Sequence, residues 1–218
     1  MRLDMKVLVT GSSRGIGRAI ALKFLTEGHS VVGIDKLPAG INHDNYTHIV
    51  SDICGELPEV HGVEILINNA GVQDSGKDID VNLKGTIAVT EKYAIHPNVK
   101  SVVFIASASA ETGSEFPEYA ASKGGMVAYM KNVALRLAKW GATSNALSPG
   151  GVITPLNQHV MDDPDLWQKV MDETPLKKWA TVSEIAEWTY FVAVINKSMT
   201  AQNILIDNGE AARANFIW

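Results

Sequence analysis

The chain has a single cysteine, Cys54, among its 218 residues. That excludes an intrachain disulfide and a cysteine-rich metal site; Cys54 itself reads as a small, half-buried residue. The six histidines, at positions 29, 43, 48, 61, 96 and 159, show no metal-binding spacing, so no metal is expected and they read as solvated or packing residues. No apolar run approaches a membrane span, and the opening Met1-Arg2-Leu3-Asp4 has no signal-peptide pattern. The expected setting is the cytoplasm, without a membrane partner. Positive charge is also in short supply. The formal net charge is -5 and the basic residues are scattered, which argues against a nucleic-acid partner. Aromatic residues make up 7% of the chain, and the five tryptophans decide little; Trp167, Trp179 and Trp188 read first as core and second as pocket lining.

What is present is an ordinary globular composition, 46% hydrophobic and 20% charged. The length suits one core and one domain, residues 1–218. Strand-like and helix-like segments alternate, the pattern of a parallel sheet covered on both faces. Strands are expected at 7–10, 30–35, 47–51, 65–68, 101–106, 144–147 and 204–206. Helices are expected at about 15–27, 82–94 and 118–139. A further helix should open on the capping box Thr181/Glu184 and run to about Val194. The predicted fold is a single-domain α/β, Rossmann-type, doubly wound parallel sheet of about seven strands. Between Pro149 and Trp179 the prolines Pro155, Pro164 and Pro175 predict a loop with one or two short helices, and residues 150–180 are the expected substrate loop.

Between the first strand and first helix lies Thr10-Gly11-Ser12-Ser13-Arg14-Gly15-Ile16-Gly17. A glycine-rich turn that ends on a helix N-terminus lets backbone approach a pyrophosphate and aims the helix dipole at its charge. Glycines alone would also suit a plain strand-to-helix turn. Asp35, at the end of the second strand, strengthens the dinucleotide reading, because its carboxylate can accept both ribose hydroxyls and would repel a 2′-phosphate. Arg14 and Lys36 pull toward that phosphate. The expected preference is NAD(H) over NADP(H).

Several separated motifs follow in order: Asn68-Asn69-Ala70-Gly71, Asn82 in Val81-Asn82-Leu83, Ser107 after the fifth strand, Tyr119-Ala120-Ala121-Ser122-Lys123, and Pro149-Gly150. Together with the glycine loop they resemble the short-chain dehydrogenase/reductase family from Val7 to Gly209. The chemistry explains the residue types. Reduction of a ketone needs a proton at oxygen while hydride reaches carbon. A free tyrosine, with a pKa of ~10, is a sluggish acid-base until a nearby ammonium lowers that value. Tyr119 and Lys123 are one helical turn apart on one face; alone, such a pair is usually just solvated surface. The resemblance implies Tyr119 as proton donor or acceptor and Ser107 as the group holding the substrate oxygen. It implies that Lys123 binds the nicotinamide ribose and that Asn82 holds a water linking Lys123 to solvent. Ser109 stays open as the alternative serine. Cofactor contacts are implied for Gly11, Ser13, Arg14, Gly15, Ile16 and Gly17 in the loop and for Asp35. Asp52 and Ile53 would meet the adenine, Asn69, Ala70 and Gly71 the adenosine ribose and nearby backbone. Pro149, Gly150, Val152 and Thr154, with Tyr119 and Lys123, would surround the nicotinamide. Asp52 could equally be a turn residue.

Two connections are short for this resemblance: fifteen residues lie between Asp52 and Asn68, and ten between Gly71 and Asn82. Each lacks room for the helix expected there, so the pocket should be more open. Ser144 takes an expected apolar place in the sixth strand, a modest packing loss. The tail Asn215-Phe216-Ile217-Trp218 could dock across a subunit interface. The implied activity is hydride transfer between a nicotinamide cofactor and a secondary alcohol or ketone, a small-molecule substrate, in a homodimer or homotetramer. The chain is also close to the 3-oxoacyl-carrier-protein reductases, whose cofactor would be NADPH. A non-catalytic NAD(H) sensor and a sugar-nucleotide epimerase are the competing classes.

Overall fold

The computed structural model describes residues 4–114 and 116–212; the apolar tail lies outside them. Seven parallel strands form one sheet: β1 (Lys6–Thr10), β2 (Ser30–Asp35), β3 (Tyr46–Val50), β4 (Ile65–Asn68), β5 (Ser101–Ile105), β6 (Thr143–Pro149) and β9 (Asn203–Ile206). Their order is β3-β2-β1-β4-β5-β6-β9. Direction of winding reverses between β1 and β4, and a crevice opens there at the strands' carboxyl ends. β1, β4 and β5 carry continuous apolar runs, at 7–9, 65–67 and 102–105, because helices cover both faces. One core layer packs Leu8, Leu66, Val102 and Phe104 against Met126, Met130 and Val133 of α4 (Pro117–Leu137). The other packs Val7, Val9, Ile65 and Ile67 against Ile20 and Phe24 of α1 (Gly15–Thr26), with Ala186 and Tyr190 of α7 (Val182–Tyr190).

Four details depart from the sequence expectation. The helix predicted from Asn82 starts earlier, as a π-helical stretch over Ile79–Gly85 that continues into α2 (Thr86–Tyr93). β6 is a seven-residue strand, buried along nearly its whole length, instead of a weak one. Ser144 costs it little: the hydroxyl is fully buried and donates to the Met130 carbonyl at 3.0 Å, so a polar side chain is satisfied in the core. Cys54 is exposed, not half-buried.

Both short connections are seen. Residues 51–64 contain no helix. They are pinned to α2 instead, where Tyr93 Oη donates to the Pro58 carbonyl at 2.6 Å and Lys92 Nζ to the Leu57 carbonyl at 2.7 Å. In the second connection Asp78, only 1% exposed, takes the place of a helix as organiser. Its carboxylate accepts from the Asp74 and Ser75 amides and the Ser75 hydroxyl. The capping box at Thr181 forms as predicted, with Glu184 N donating to Thr181 Oγ1 at 3.2 Å and Thr181 N to Glu184 Oε2 at 2.7 Å. The region after β6 holds β7 (Val152–Ile153), two short helices, α5 (Gln158–Met161) and α6 (Pro164–Glu173), and β8 (Ala180–Thr181).

Candidate active site

The glycine loop crosses from β1 to α1 at the switch point, and its three glycines answer different demands. Gly11 has φ +69°, and a Cβ on it would meet Asn69 Nδ2 at 2.8 Å and Ala70 Cα at 2.9 Å. A Cβ on Gly17 would collide with the Gly11 carbonyl oxygen. These two let helix, loop and the segment after β4 pack together. Gly15, at φ +55°, faces open space, its Cβ position having only Thr154 Cγ2 at 4.0 Å. The first turn of α1 holds no acidic residue and no side chain caps it. Its N–H groups are thus available to an anion. Across the crevice, Thr10 Oγ1 accepts from Asn69 N at 3.0 Å and Ala70 N at 3.1 Å, while Asn69 Nδ2 donates to the Thr10 carbonyl at 3.0 Å. That exchange locks the ends of β1 and β4.

Asp35 ends β2 beside the loop. Its carboxylate accepts from Ser13 N and Leu37 N, each at 2.9 Å and one on each oxygen, which fixes its orientation. The loop rests on a polar chain in which Ser12 Oγ, Tyr46 Oη and His48 Nδ1 lie 2.9 Å apart in sequence. Arg14 is exposed at the N-terminus of α1. Asp52 engages one oxygen in a turn, accepting from Cys54 N at 2.9 Å, and Ile53 is buried against Gly85.

A cavity of about 900 Å³ opens at the carboxyl end of the sheet. Of the residues singled out from sequence, Ile16, Asn69, Gly71, Ser107, Ser109, Tyr119, Lys123, Pro149, Gly150, Val152 and Thr154 line it. Gly11, Ser13, Arg14, Gly15, Gly17, Asp35, Asp52, Ile53 and Ala70 lie outside its walls, and Asn82 is fully buried behind them. Glu173, inside the expected substrate loop, also faces the cavity, as do Gln73, Thr112, Ser114 and Glu210, which nothing in their local spacing marks. Trp179 lines it and meets Trp167 edge-on at 5.0 Å between ring centroids, whereas Trp188 is on the surface.

Tyr119 and Lys123 sit one turn apart near the start of α4. Lys123 Nζ lies 5.7 Å from the Tyr119 ring centroid and donates to the Ile105 carbonyl at 2.9 Å. The amine is buried, and loss of hydration pulls its pKa down to about 8; the negative charge of Asp78 opposes that fall. Asn82 spends its side chain on protein partners. Its Oδ1 accepts from Val72 N at 2.8 Å and its Nδ2 donates to the Val72 carbonyl and to Ser122 Oγ. It therefore ties the loop after β4 to the helix that carries Tyr119 and Lys123. The two serines form one unit where β5 gives way to α3 (Ser109–Thr112). Ser107 Oγ donates to Ser109 Oγ at 3.1 Å and accepts from Ser109 N at 3.2 Å.

A family model described as enoyl-(acyl carrier protein) reductase matches residues 42–210, well over half of the chain. The chain belongs to the short-chain dehydrogenase/reductase family. This oxidoreductase is nicotinamide-dependent and moves a hydride between cofactor and substrate. It is 28% identical to the glucose 1-dehydrogenase of Gluconobacter oxydans (strain 621H) over 97% of this chain and 93% of that protein. It is 29% identical to a 3-oxoacyl-(acyl-carrier-protein) reductase of Buchnera aphidicola subsp. Acyrthosiphon pisum, over 92% of this chain and 94% of that one. A solved structure of a putative 2-deoxy-D-gluconate 3-dehydrogenase from Agrobacterium tumefaciens, with bound NADP, superposes with a TM-score of 0.86 at 25% identity. The match covers 97% of this chain and 98% of that chain.

The serine pair yields a separable expectation for this oxidoreductase. If Ser107 holds the substrate oxygen, Ser107→Ala lowers kcat/KM by about 10²-fold, and Ser109→Ala, which removes only the partner of Ser107, costs about tenfold or less. Steady-state assays of the two variants decide it; a larger loss in Ser109→Ala would exchange the two roles.

Proposed function

We propose that this oxidoreductase interconverts a secondary alcohol and a ketone on a small, polyhydroxylated substrate, with Tyr119 as the proton-transfer group and NAD(H) as the preferred cofactor. The observation that carries this reading is that Tyr119, Lys123 and Ser107 open onto one cavity whose edge is the glycine-loop end of α1. The residues suit a dinucleotide: an open face at Gly15, an uncapped helix N-terminus and an oriented carboxylate at Asp35.

When bound, the nicotinamide supplies or takes up the hydride. Pro149, Gly150, Val152 and Thr154 would flank that ring, and Lys123 would bind its ribose. In reduction, the Tyr119 hydroxyl gives its proton to the substrate oxygen; in oxidation the phenolate takes it back. With substrate bound, the Ser107 hydroxyl turns from Ser109 Oγ and donates to the same oxygen, which fixes its position and steadies the charge that develops there. The Lys123 ammonium favours the phenolate form and so brings the Tyr119 pKa toward neutrality. With the Asn82 side chain already committed to Val72 and Ser122, its part in a water link to Lys123 falls to the main-chain carbonyl.

Among a mixed polar and apolar lining, Gln73, Thr112, Ser114 and Glu173 on the cavity wall support a substrate that carries hydroxyl groups. Similarity to glucose 1-dehydrogenase supports it. Similarity to a 3-oxoacyl-(acyl-carrier-protein) reductase favours a second reading, reduction of an acyl thioester with NADPH; the carboxylate of Asp35 speaks against it. Aldoses, polyols, simple secondary alcohols and a 3-oxoacyl thioester, assayed with NAD(H) and NADP(H) in parallel, test the proposal. Turnover of the thioester alone would overturn it.

Asp35 gives the cofactor preference its own check. Asp35→Asn keeps one acceptor for the two amides, Ser13 N and Leu37 N, and removes the charge. NADP(H) should then bind about tenfold tighter and NAD(H) about tenfold weaker, the scale of one charge-assisted hydrogen bond gained or lost. Dissociation constants from tryptophan fluorescence measure both. Tighter binding of NADPH than of NADH by the unaltered protein contradicts the preference.

A further inference from the structure

The turn that follows β9 is held in a fixed shape. Asp207, 8% exposed, accepts from Gly209 N on Oδ1 at 3.0 Å and from Ala211 N on Oδ2 at 2.8 Å. Asn208 and Gly209 have φ of 55° and 92°, so the chain reverses tightly and carries Glu210 back toward the cavity, which it lines. There the Glu210 carboxylate meets two other parts of the site. Oε1 lies 2.9 Å from the hydroxyl of Thr174, a fully buried residue just past α6, whose one proton it shares with the Val170 carbonyl at 2.8 Å. Oε2 lies against Gly150, 2.8 Å from where a Cβ on that glycine would sit. Two neighbouring contacts join the same segments. Leu176 N donates to the Asn208 carbonyl at 3.2 Å, and the Cα of Gly209 packs on Pro175, whose Cγ is 3.0 Å from the Cβ position.

We propose that Glu210 is a positioning residue that fastens the end of α6 to the turn after β9 and so holds the substrate loop against the cofactor end of the cavity. The inference rests on the reading of this cavity as the substrate site. α6 contributes Leu166, Lys169, Val170 and Glu173 to the cavity wall, yet of its residues only Met171 is buried. A helix with so little buried surface needs anchors at its ends. At its start, Asp163 Oδ1 caps Asp165 N and Leu166 N. At its end the anchor is Thr174, and the Glu210 carboxylate is the side chain that ties it to the turn after β9, beside the Leu176–Asn208 and Pro175–Gly209 contacts. Loss of that carboxylate frees the helix to swing on its N-terminal side, and the substrate then meets a wall that has to be reassembled on binding.

Hydrogen–deuterium exchange on the full chain, with Glu210→Ala, Glu210→Gln and Thr174→Val beside the unaltered protein, tests this directly. Amides over residues 158–176 should exchange about tenfold faster in Glu210→Ala and Thr174→Val, the effect of removing one charge-assisted hydrogen bond from a local opening. Glu210→Gln, which still offers an amide oxygen to Thr174, should stay close to the original rate. Peptides from β1, β4 and β5 should not change in any variant. In turnover, Glu210→Ala should raise KM several-fold with a smaller change in kcat. The proposal fails if Glu210→Ala leaves exchange over 158–176 unaltered, if protection falls equally in the sheet, or if Glu210→Gln behaves as Glu210→Ala. Faster exchange confined to 158–176, in a protein that turns over no alcohol or ketone, would uphold the latch and overturn the reading of the reaction instead.

Discussion

Tyr119→Phe is expected to lower turnover by about 10²- to 10⁴-fold, the range that a positioned acid-base contributes, while cofactor affinity and the unfolding midpoint change little. The expectation comes from what the substitution leaves intact. Phenylalanine keeps the ring, so the half-buried wall of the cavity is unchanged, and the backbone carbonyl of Tyr119 still accepts from Ser122 Oγ at 2.7 Å. Only the hydroxyl is lost. On the proposed roles, the proton must then come from water, and Ser107 alone is left to polarise the substrate oxygen. Steady-state rates, with dissociation constants for the cofactor measured on the same preparation, separate lost chemistry from lost binding. A variant that retains a tenth or more of the turnover would show that another group handles the proton.

Lys123→Met is expected to abolish turnover to a similar degree and at the same time to change how stability depends on pH. An ordinary lysine titrates at 10.5, but burial holds Lys123 at about 8 in the folded chain. The folded-state pKa is depressed, so between pH 8 and 10.5 the unfolded chain holds a proton that the folded chain has released. Stability therefore rises with pH across that window, by about 3 kcal/mol for a shift of this size. Below pH 8 both states are protonated and the cost of the buried charge is felt in full. Methionine has a similar shape and no charge. At pH 7 it removes that cost but leaves the Ile105 carbonyl without its donor, a loss of about 1–3 kcal/mol. Denaturant unfolding at pH 7 and at pH 10 should show the stability advantage of the variant shrinking as pH rises. Tyr46, Tyr93 and Tyr129, whose pKa values are raised by burial, titrate in both proteins and cancel in the difference. Parallel stability curves would mean that Lys123 is not desolvated as described. The two effects together express a trade: a residue that weakens the fold at neutral pH is kept where it can act on a phenol.

The sheet and its order of elements were legible because the signals are local. Apolar runs, the glycine turn, the Thr181 capping box and the one-turn spacing of Tyr119 and Lys123 each depend on residues close in sequence. The short connections could also be read, from residue counts set against the family resemblance. What could not be read was how the gaps are filled. Lys92 and Tyr93 bind the chain after β3 from 35 residues away, and no pattern around Leu57 or Pro58 announces it. Asp78 looks like an exposed acidic residue before a helix, yet it is buried and organises the loop beside Lys123. The π-helical start over Ile79–Gly85 has the same apolar spacing as an α-helix that begins later, which is why the expected start was Asn82. Ser144 looked like a packing loss because its acceptor, the Met130 carbonyl, belongs to another element. Glu210 escaped notice for the same reason: its partners, Thr174 and Gly150, reach it only once β6, α6 and β9 have assembled.

The most direct measurement is to follow deuterium from the carbinol carbon of a deuterated secondary alcohol, taken from the substrates that turn over, onto the nicotinamide ring by mass spectrometry. The label should reach the ring in the unaltered protein, and transfer should be nearly extinguished in Tyr119→Phe at equal cofactor occupancy. Transfer in Tyr119→Phe at the unaltered rate, or product formed with no label on the ring, would contradict it.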